Sequence, residues 1–472
     1  MKNSHVFKSE IDRWFEQNRE QMIDDICELI SIRSVRGNPE DGKPFGAGPA
    51  MALEKAAGLI KSRGFNVTNF DNYMITADIN GQEPELGILA HLDVVCEGTG
   101  WNTDPFRAEI IDGRLYGRGT SDDKGPAVAA LYAMSAVRDI APNLTRGCQL
   151  ILGSAEETGS EDLAYYRKKE KMPPYVFTPD ADFPVINIEK GRFAPGFAAN
   201  WEENINLPRI ISIKGGDTTN IVPNFASAII EGMQADAVEK LCAEFSKKTG
   251  AAISASASDG QIQIEARGSS AHAAHPEDGI NAQTALLSML TSMPFAESEG
   301  FERLCALAKL FPHGDTSGNA SGIAMQDEIS GKLTLNFGVL RYDITGLEGT
   351  IDIRMPVCAP EEDIADKIDK LLYFSGIRTK DRTTLTLCHH VDEKSEFVQT
   401  LLNVYEEYTG EKGYCRAVGG GTYVHGIPGG VAFGCAMPEI DYKIHGANEF
   451  IGVDEIILSA KMFAAVILDM CL

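Results

Sequence analysis

The sequence predicts an α/β protein, a mixed and mostly parallel sheet flanked by helices, interrupted by an inserted α+β domain. Three observations predict it. Short β-branched apolar runs alternate with amphipathic stretches over the first 190 residues, the pattern of parallel strands joined by crossover helices. Over 210–232, 261–268 and 331–355 the texture changes to period-two alternation, as in antiparallel strands with one solvated face. From about residue 395 the first texture returns. The length of 472 residues agrees with more than one domain, since single cores stop growing near ~250–300 residues.

Each element follows from its local pattern. Ile11, Trp14, Phe15, Met22, Ile26, Leu29 and Ile30 recur at helical spacing, so 10–32 is predicted as an amphipathic helix. Residues 49–63 predict a second helix, closed by Gly64. "LGILAHLDVV" is too short and too β-branched for a helix and predicts a buried strand. In "DGRLYGRGTSDDKGPAVAALYAMSAV" a Gly-rich turn leads into a helix from about Lys124, and "CQLILGSA" is the next buried strand. Then come "IISIKG", "ASAIIEG", "QIQIEARG", "KLTLNFGVL" and "GTIDIRMP", with helices over 236–249 and 280–292 between them. "EFVQTLLNVYEEYTG" returns to a helix ending in Gly, and "GGVAFGCAMP" to a buried strand. The predicted domains are therefore 1–190 with 385–472, and an insertion of 191–384 built as two tandem ferredoxin-like units.

Composition excludes several classes. The formal charge of −25 disfavours nucleic acid or an anionic membrane as partner. No apolar run reaches the ~18 residues of a membrane span. The start, "MKNSHVFKSEIDRWFEQNRE", lacks the apolar core of a secretory signal, so a cytoplasmic location is expected. The 10 cysteines are scattered singly with no C-x-x-C pair, which argues against a disulfide framework or a structural zinc knuckle.

The chemistry-bearing residues cluster after the predicted strands. "AHLDVV" places His91 two residues before Asp93; residues i and i+2 of a strand share a side, and a carboxylate beside an imidazole is how metal sites fix its tautomer. A surface turn would explain the same pair. Asp122 and Asp123 in "GRGTSDDKG" precede a helix that one of them could cap, leaving one to spare. Glu156 and Glu157 in "SAEETGS" end a core strand with two adjacent acids, which repel if both are buried and are otherwise a solvated loop. Asp180 and Asp182 stand in "TPDADFPV" and His445 in "YKIHGANEF". Five strand-end loops would thus bring His, Asp or Glu to the carboxyl edge of one sheet, where open α/β sheets bind ligands. Two imidazoles and three carboxylates are a full set for two divalent ions sharing one carboxylate.

"HLDVV", "GRGTSDDKGP", "SAEETGS", "PDADFP", "GGGTY" and "HGANEFI" resemble, in order and spacing over nearly the whole chain, the motifs of the dinuclear zinc dipeptidases of the PepV type. That family is related to bacterial carnosinases, succinyl-diaminopimelate desuccinylase, acetylornithine deacetylase and carboxypeptidase G. The resemblance implies a zinc-peptidase-like catalytic domain with an inserted lid, and two divalent ions, Zn2+ as the family's usual choice and Mn2+ as the alternative for a carboxylate-rich set. It implies His91 and Asp180 on one ion, Glu157 and His445 on the other, Asp122 bridging, Asp93 orienting His91 and Glu156 as general base. It also implies a cis peptide between Asp122 and Asp123. In the insertion it implies His272, of "SSAHAAHPEDGINA", as oxyanion donor, with His275 the rival in the same stretch. Asn220 and Arg354 would hold substrate, the Arg gripping a terminal carboxylate, with backbone donors from Gly419, Gly420 and Gly421. Asn220 also fits a turn residue, and Arg354 a surface strand residue.

The resemblance narrows the substrate. Asp rather than Glu at position 180 goes, in this clan, with substrates bearing a free amino terminus. The doubled insertion implies a monomer that closes its own site by hinge motion near 190 and 385. After "GGGTY" the chain reads Val424-His425 where the family pattern has Ala-Arg. The implied activity is hydrolysis of L-amino-acid dipeptides with free termini. The rivals are an N-acyl amino acid deacylase or desuccinylase, and a non-catalytic metal-binding scaffold.

Overall fold

The computed structural model describes residues 3–360, 363–382 and 384–472. The chain forms two compact units, Met1–Ile188 with His390–Arg416 and Gly421–Leu472, and Glu189–His389 with Ala417–Gly420. The expected boundaries at 190 and 385 shift by a few residues. One short piece, 417–420, leaves the first unit for the second, because Val418 O accepts from Lys190 N and Gly419 O from Arg354.

In the first unit the central sheet runs in the order Thr68–Phe70, Met74–Asp78, Gly147–Gly153, Pro84–His91, Tyr175–Thr178, Gly430–Ala432, Val185–Glu189. Pro84–His91 pairs in parallel with Gly147–Gly153 and with Tyr175–Thr178, which in turn pairs in parallel with Gly430–Ala432. The sheet's remaining pairs in that order are antiparallel. The helix Asn3–Ile30 begins seven residues before its predicted start, and it buries Ile11, Phe15, Met22, Ile26, Leu29 and Ile30, a stripe of helical period. Lys124–Ile140 and Val453–Cys471 pack on each other and on Asn3–Ile30. Val453–Cys471 is buried on nearly every face, with Phe463, Val466 and Leu468 fully enclosed, each such side chain contributing roughly 1.5–3 kcal/mol. Glu396–Thr409 ends as expected in Gly410, whose φ of 76° suits the left-handed cap. The predicted strand in "GGVAFGCAMP" breaks into Gly430–Ala432 and Cys435–Ala436, because Gly434 turns the backbone at φ 83°.

The second unit is one continuous antiparallel sheet in the order Ala252–Ser258, Gln261–Arg267, Phe225–Glu231, Arg209–Gly215, Thr334–Tyr342, Gly346–Met355, Gly196–Asn200, Arg378–Thr379. The two tandem halves expected from the sequence meet where Arg209–Gly215 pairs with Thr334–Tyr342, so they share a sheet and a single apolar core. Ala235–Thr249 and Ala282–Leu290 form where predicted; Glu299–Leu310 and Asp363–Phe374 are further helices. Ala282–Leu290 packs across Phe225–Glu231, Gln261–Arg267 and Thr334–Tyr342. No helix among the described residues is long and apolar enough to cross a membrane.

Candidate active site

Three parallel strands deliver part of the site to one edge of the first unit's sheet. His91 is the last residue of Pro84–His91, Glu156 and Glu157 form a short helical turn after Gly147–Gly153, and Asp180 follows Tyr175–Thr178. Asp122 and His445 arrive differently, which corrects the expectation of five strand-end loops. Asp122 lies in the turn between Arg114–Tyr116, a strand of a separate small sheet, and the helix Lys124–Ile140. His445 lies in an irregular loop whose Glu439, Lys443, His445 and Asn448 all have left-handed φ, a conformation that no strand tolerates.

The five expected ligands converge. His91 Nε2 is 3.0 Å from Asp122 Oδ1 and 3.5 Å from Asp180 Oδ2. His445 Nε2 is 2.9 Å from Asp122 Oδ2 and 3.2 Å from Glu157 Oε2. Asp122 thus presents one oxygen to each imidazole. Donor atoms of His91, Asp122 and Glu157 lie within 4.8 Å of one another, as do those of His91, Glu156 and Asp180. The residues fit a pair of cations: His91 Nε2 is buried without a hydrogen-bond partner of proper geometry, although two carboxylates face it. The Asp122–Asp123 peptide is cis, as the resemblance implies.

The electrostatics of the cation-free protein point the same way. Burial pushes the Glu156 carboxyl well above its ordinary value, and Asp180, Glu157 and Asp122 add to this while His91 opposes it. Burial and then Asp122 raise Glu157, against His445; burial and Asp122 likewise raise Asp180. Burial pulls His91 down, but Asp122, Asp180 and Asp93 outweigh it and leave the imidazole well above its usual value. Asp122 and Glu157 hold His445 up at about 11. The raised groups are those that a cation's positive charge would balance.

A second layer of carboxylates holds the backbone that carries these groups. Asp93 approaches His91 Nδ1 with its carboxylate at 3.5 Å, but the closer atom is its carbonyl oxygen at 3.0 Å. The Asp93 carboxylate instead accepts the N–H groups of Glu156 and Glu157, each at 3.1 Å. Asp123 stands at the N-cap position of Lys124–Ile140 without capping it; its Oδ2 accepts the His91 N–H at 2.9 Å. Asp162 accepts the N–H groups of Ser154 and Ala155 and the hydroxyl of Tyr423, whose ring meets His91 edge-on at 6.0 Å. Gly153 is obligatory beneath this brace, since a Cβ there would lie 2.0 Å from the Tyr423 hydroxyl. Sequence reasoning offered Asp123, or Asp122, only as a helix cap, which no side-chain bond of Asp123 bears out, and it gave no role to Asp162 or Tyr423. For Asp123 and Tyr423 a signal existed, as both lie inside quoted motifs; Asp162 had none.

The second unit gathers the other candidates. His272 pairs with Ile221, next to Asn220, whose carbonyl accepts the Ala273 N–H at 2.9 Å. His272 Nδ1 accepts the Ala274 N–H at 3.2 Å, which leaves Nε2 as the nitrogen available to carry a proton. Arg354 is a buried residue, not the surface arginine that its type suggests. Its Nε and Nη2 donate to Asp352 at 2.6 and 3.2 Å, and Nη1 to Gly419 O. Asp352 is itself fully buried and also accepts from Arg192. Gly419 has no room for a side chain, since a Cβ would lie 2.5 Å from Ala274 Cβ, while Gly420 is open. Gly421 belongs to the first unit.

Residues 87–469 match the family described as peptidase family M20/M25/M40. Over 459 residues the chain is 35% identical to YtjP of Bacillus subtilis (strain 168), spanning 96% of this chain and 98% of that one. It is 33% identical over 461 residues to the β-Ala-Xaa dipeptidase of Lactobacillus delbrueckii subsp. lactis, spanning 96% and 97%. Among solved structures, human carnosine dipeptidase 1 shares the fold with a TM-score of 0.60 at 15% identity, over 98% of both chains.

Proposed function

Because the chain belongs to peptidase family M20/M25/M40, and is therefore a hydrolase, we propose that it hydrolyses the peptide bond of L-amino-acid dipeptides with free amino and carboxyl termini. The observation that carries this reading is the convergence of two imidazoles and two further carboxylates around Asp122, with Glu156 beside them. The name of the Lactobacillus relative, a dipeptidase, supports the substrate class.

His91 and Asp180 would hold one divalent ion, Glu157 and His445 the other, and Asp122 both. Bound there, two such ions supply Lewis acidity at the scissile carbonyl and lower the pKa of water. Glu156 takes a proton from the attacking water at a carboxylate oxygen and hands it to the leaving amine nitrogen as the C–N bond breaks. Asp93 keeps Glu156 and Glu157 in place through their backbone N–H groups. His272 donates from Nε2 to the carbonyl oxygen as charge develops there. Arg354 grips the substrate carboxylate. Its named bonds use three N–H groups of the five a guanidinium carries, leaving one on each terminal nitrogen for a bidentate fork. Asn220 and the Gly419–Gly421 backbone bind the rest of the dipeptide.

In this reading 1–190 with 385–472 is the catalytic domain and 191–384 the substrate domain. The protein works as a cytoplasmic monomer and takes Zn2+ first and Mn2+ second. The test is an assay of protein reconstituted with each ion against free dipeptides, the same dipeptides amidated at the carboxyl end, and N-acetyl and N-succinyl amino acids. Turnover of free dipeptides alone is expected. Turnover confined to acylated substrates would replace the proposal with a deacylase.

A further inference from the structure

Glu449 is fully buried, lies four residues beyond His445, and touches none of the five ligand side chains through its own carboxylate. Its oxygens accept the N–H groups of Gly119 at 3.1 Å, Ser121 at 3.0 Å and Asp122 at 3.2 Å. They also accept from Arg118 Nη1 at 2.6 Å. Arg118 is equally enclosed, and its Nη2 donates to the carbonyl of Gly446 at 3.0 Å. The Glu449 carbonyl closes the network by accepting from Gly117 N at 3.0 Å.

Every donor to this carboxylate belongs to the segment 117–122 that presents Asp122. The acceptor belongs to the segment that presents His445. The bonds therefore fix the offset between the shared carboxylate and the second imidazole. His445 needs such a device: its side chain is 55 % exposed and its backbone is left-handed, at φ 62°. Regular structure does not set its ring, so its contacts with Asp122 and Glu157 depend on how its loop is anchored. A buried ion pair is weak evidence for stability, because desolvation offsets attraction. This pair spans two ligand-bearing loops that are 331 residues apart in sequence, which is what registration of a site requires.

We infer that Glu449, seated on Arg118, is a positioning residue that sets the geometry of the second cation position, the one made by Asp122, Glu157 and His445. The inference rests on the dinuclear reading above. It bears on the second position more than on the first: Asp122 serves both, but His445 is tied to this network while His91 is held by other groups, Asp123 and Asp93.

The experiment is a stepwise titration of metal-stripped protein with Mn2+ by calorimetry, repeated with Co2+ by absorption, on the wild type, Glu449→Gln and Arg118→Lys. Gln keeps the shape but puts an NH2 where an oxygen meets N–H donors. Lys keeps the charge but cannot reach both Glu449 and Gly446 O as a fork. Wild type is expected to bind two ions. Glu449→Gln should weaken one of them by about 10–100-fold, the usual cost of losing an outer partner of a metal ligand, and change the other by less than about threefold. Arg118→Lys should shift the same ion in the same direction, and excess metal should restore kcat in both. Equal weakening of both ions, or none, would overturn the inference. Should Glu449→Gln fail to fold, the same criteria apply to Arg118→Lys. A wild type that binds a single ion would overturn the dinuclear reading and this inference with it. Two wild-type ions with no selective loss would overturn this inference alone.

Discussion

His91 closes a central strand with its side chain 1 % exposed, its backbone N–H bonded to Asp123 and the Tyr423 ring against its edge. His445, facing the other oxygen of the same Asp122, stands in a left-handed loop with its side chain 55 % exposed. One ligand is part of the hydrophobic core's architecture, the other hangs from a loop tied down by a carboxylate. The difference teaches that a two-cation site need not be uniformly rigid. The first position comes with the folded sheet, and the second depends on a polar network that can be altered without dismantling the core.

Replacing each histidine by alanine should sharpen that contrast most. His91→Ala leaves Asp122, Asp180 and Asp123 in a buried pocket without the imidazolium that balances them. It should cost about 3–5 kcal/mol of metal-free stability, as removal of one partner of a buried charge cluster does, and remove the ion that His91 and Asp180 would hold. His445→Ala should lose less stability in chelator than His91→Ala, because its ring is half exposed where that of His91 is enclosed, yet bind one ion instead of two. Denaturant titration with metal analysis reads both. Similar stability losses for the two variants would erase the distinction.

Proton counting gives the next effect. Both imidazoles sit above their ordinary values, His91 through Asp122, Asp180 and Asp93 and His445 at about 11, so at pH 8 His445 carries a proton in metal-free protein. A cation needs the neutral ring, so binding expels this proton and apparent affinity rises with pH. Calorimetry in buffers of different ionisation heat should find wild type releasing about one proton more than His445→Ala. No difference at pH 8 would mean that His445 is not a ligand.

A smaller effect is expected behind His91. Tyr423→Phe removes the hydroxyl that donates to Asp162 and leaves that carboxylate to the backbone N–H groups of Ser154, Ala155 and Leu163. The expected loss is about 1–3 kcal/mol in stability, the cost of a buried acceptor losing a partner, with both ions still bound. Loss of the His445 ion in Tyr423→Phe would show that the two halves of the site are coupled.

What could be read from the sequence follows the same divide. His91, Glu156, Glu157 and Asp180 follow apolar runs, and the strands formed where those runs stand, so local pattern located them. His445 was found by its motif, but its loop was misread as the end of a strand, because the bonds that shape it come from residues 117–122. Arg354 looked like an ordinary strand arginine, since nothing local announces that Asp352, Arg192 and Gly419 enclose it. Val453–Cys471 was not assigned as a helix because a segment buried all round carries no amphipathic period. The tandem halves of the second unit were visible as alternation, whereas their union in one sheet depends on the pairing of residues 213–215 with 340–342, which local pattern does not encode.

The two adjacent glutamates give the most direct test of the whole account, because they are chemically identical and assigned opposite duties. Glu156→Gln and Glu157→Gln are each reconstituted, assayed on a free dipeptide, and measured for bound metal. Glu156→Gln should hold two ions per chain and lose on the order of 10²–10⁴-fold in kcat, the share of a general base. Glu157→Gln should lose an ion and regain activity as metal is raised. A Glu156→Gln protein that turns over at the wild-type rate, or that fails to bind metal while Glu157→Gln binds both ions, would contradict the account.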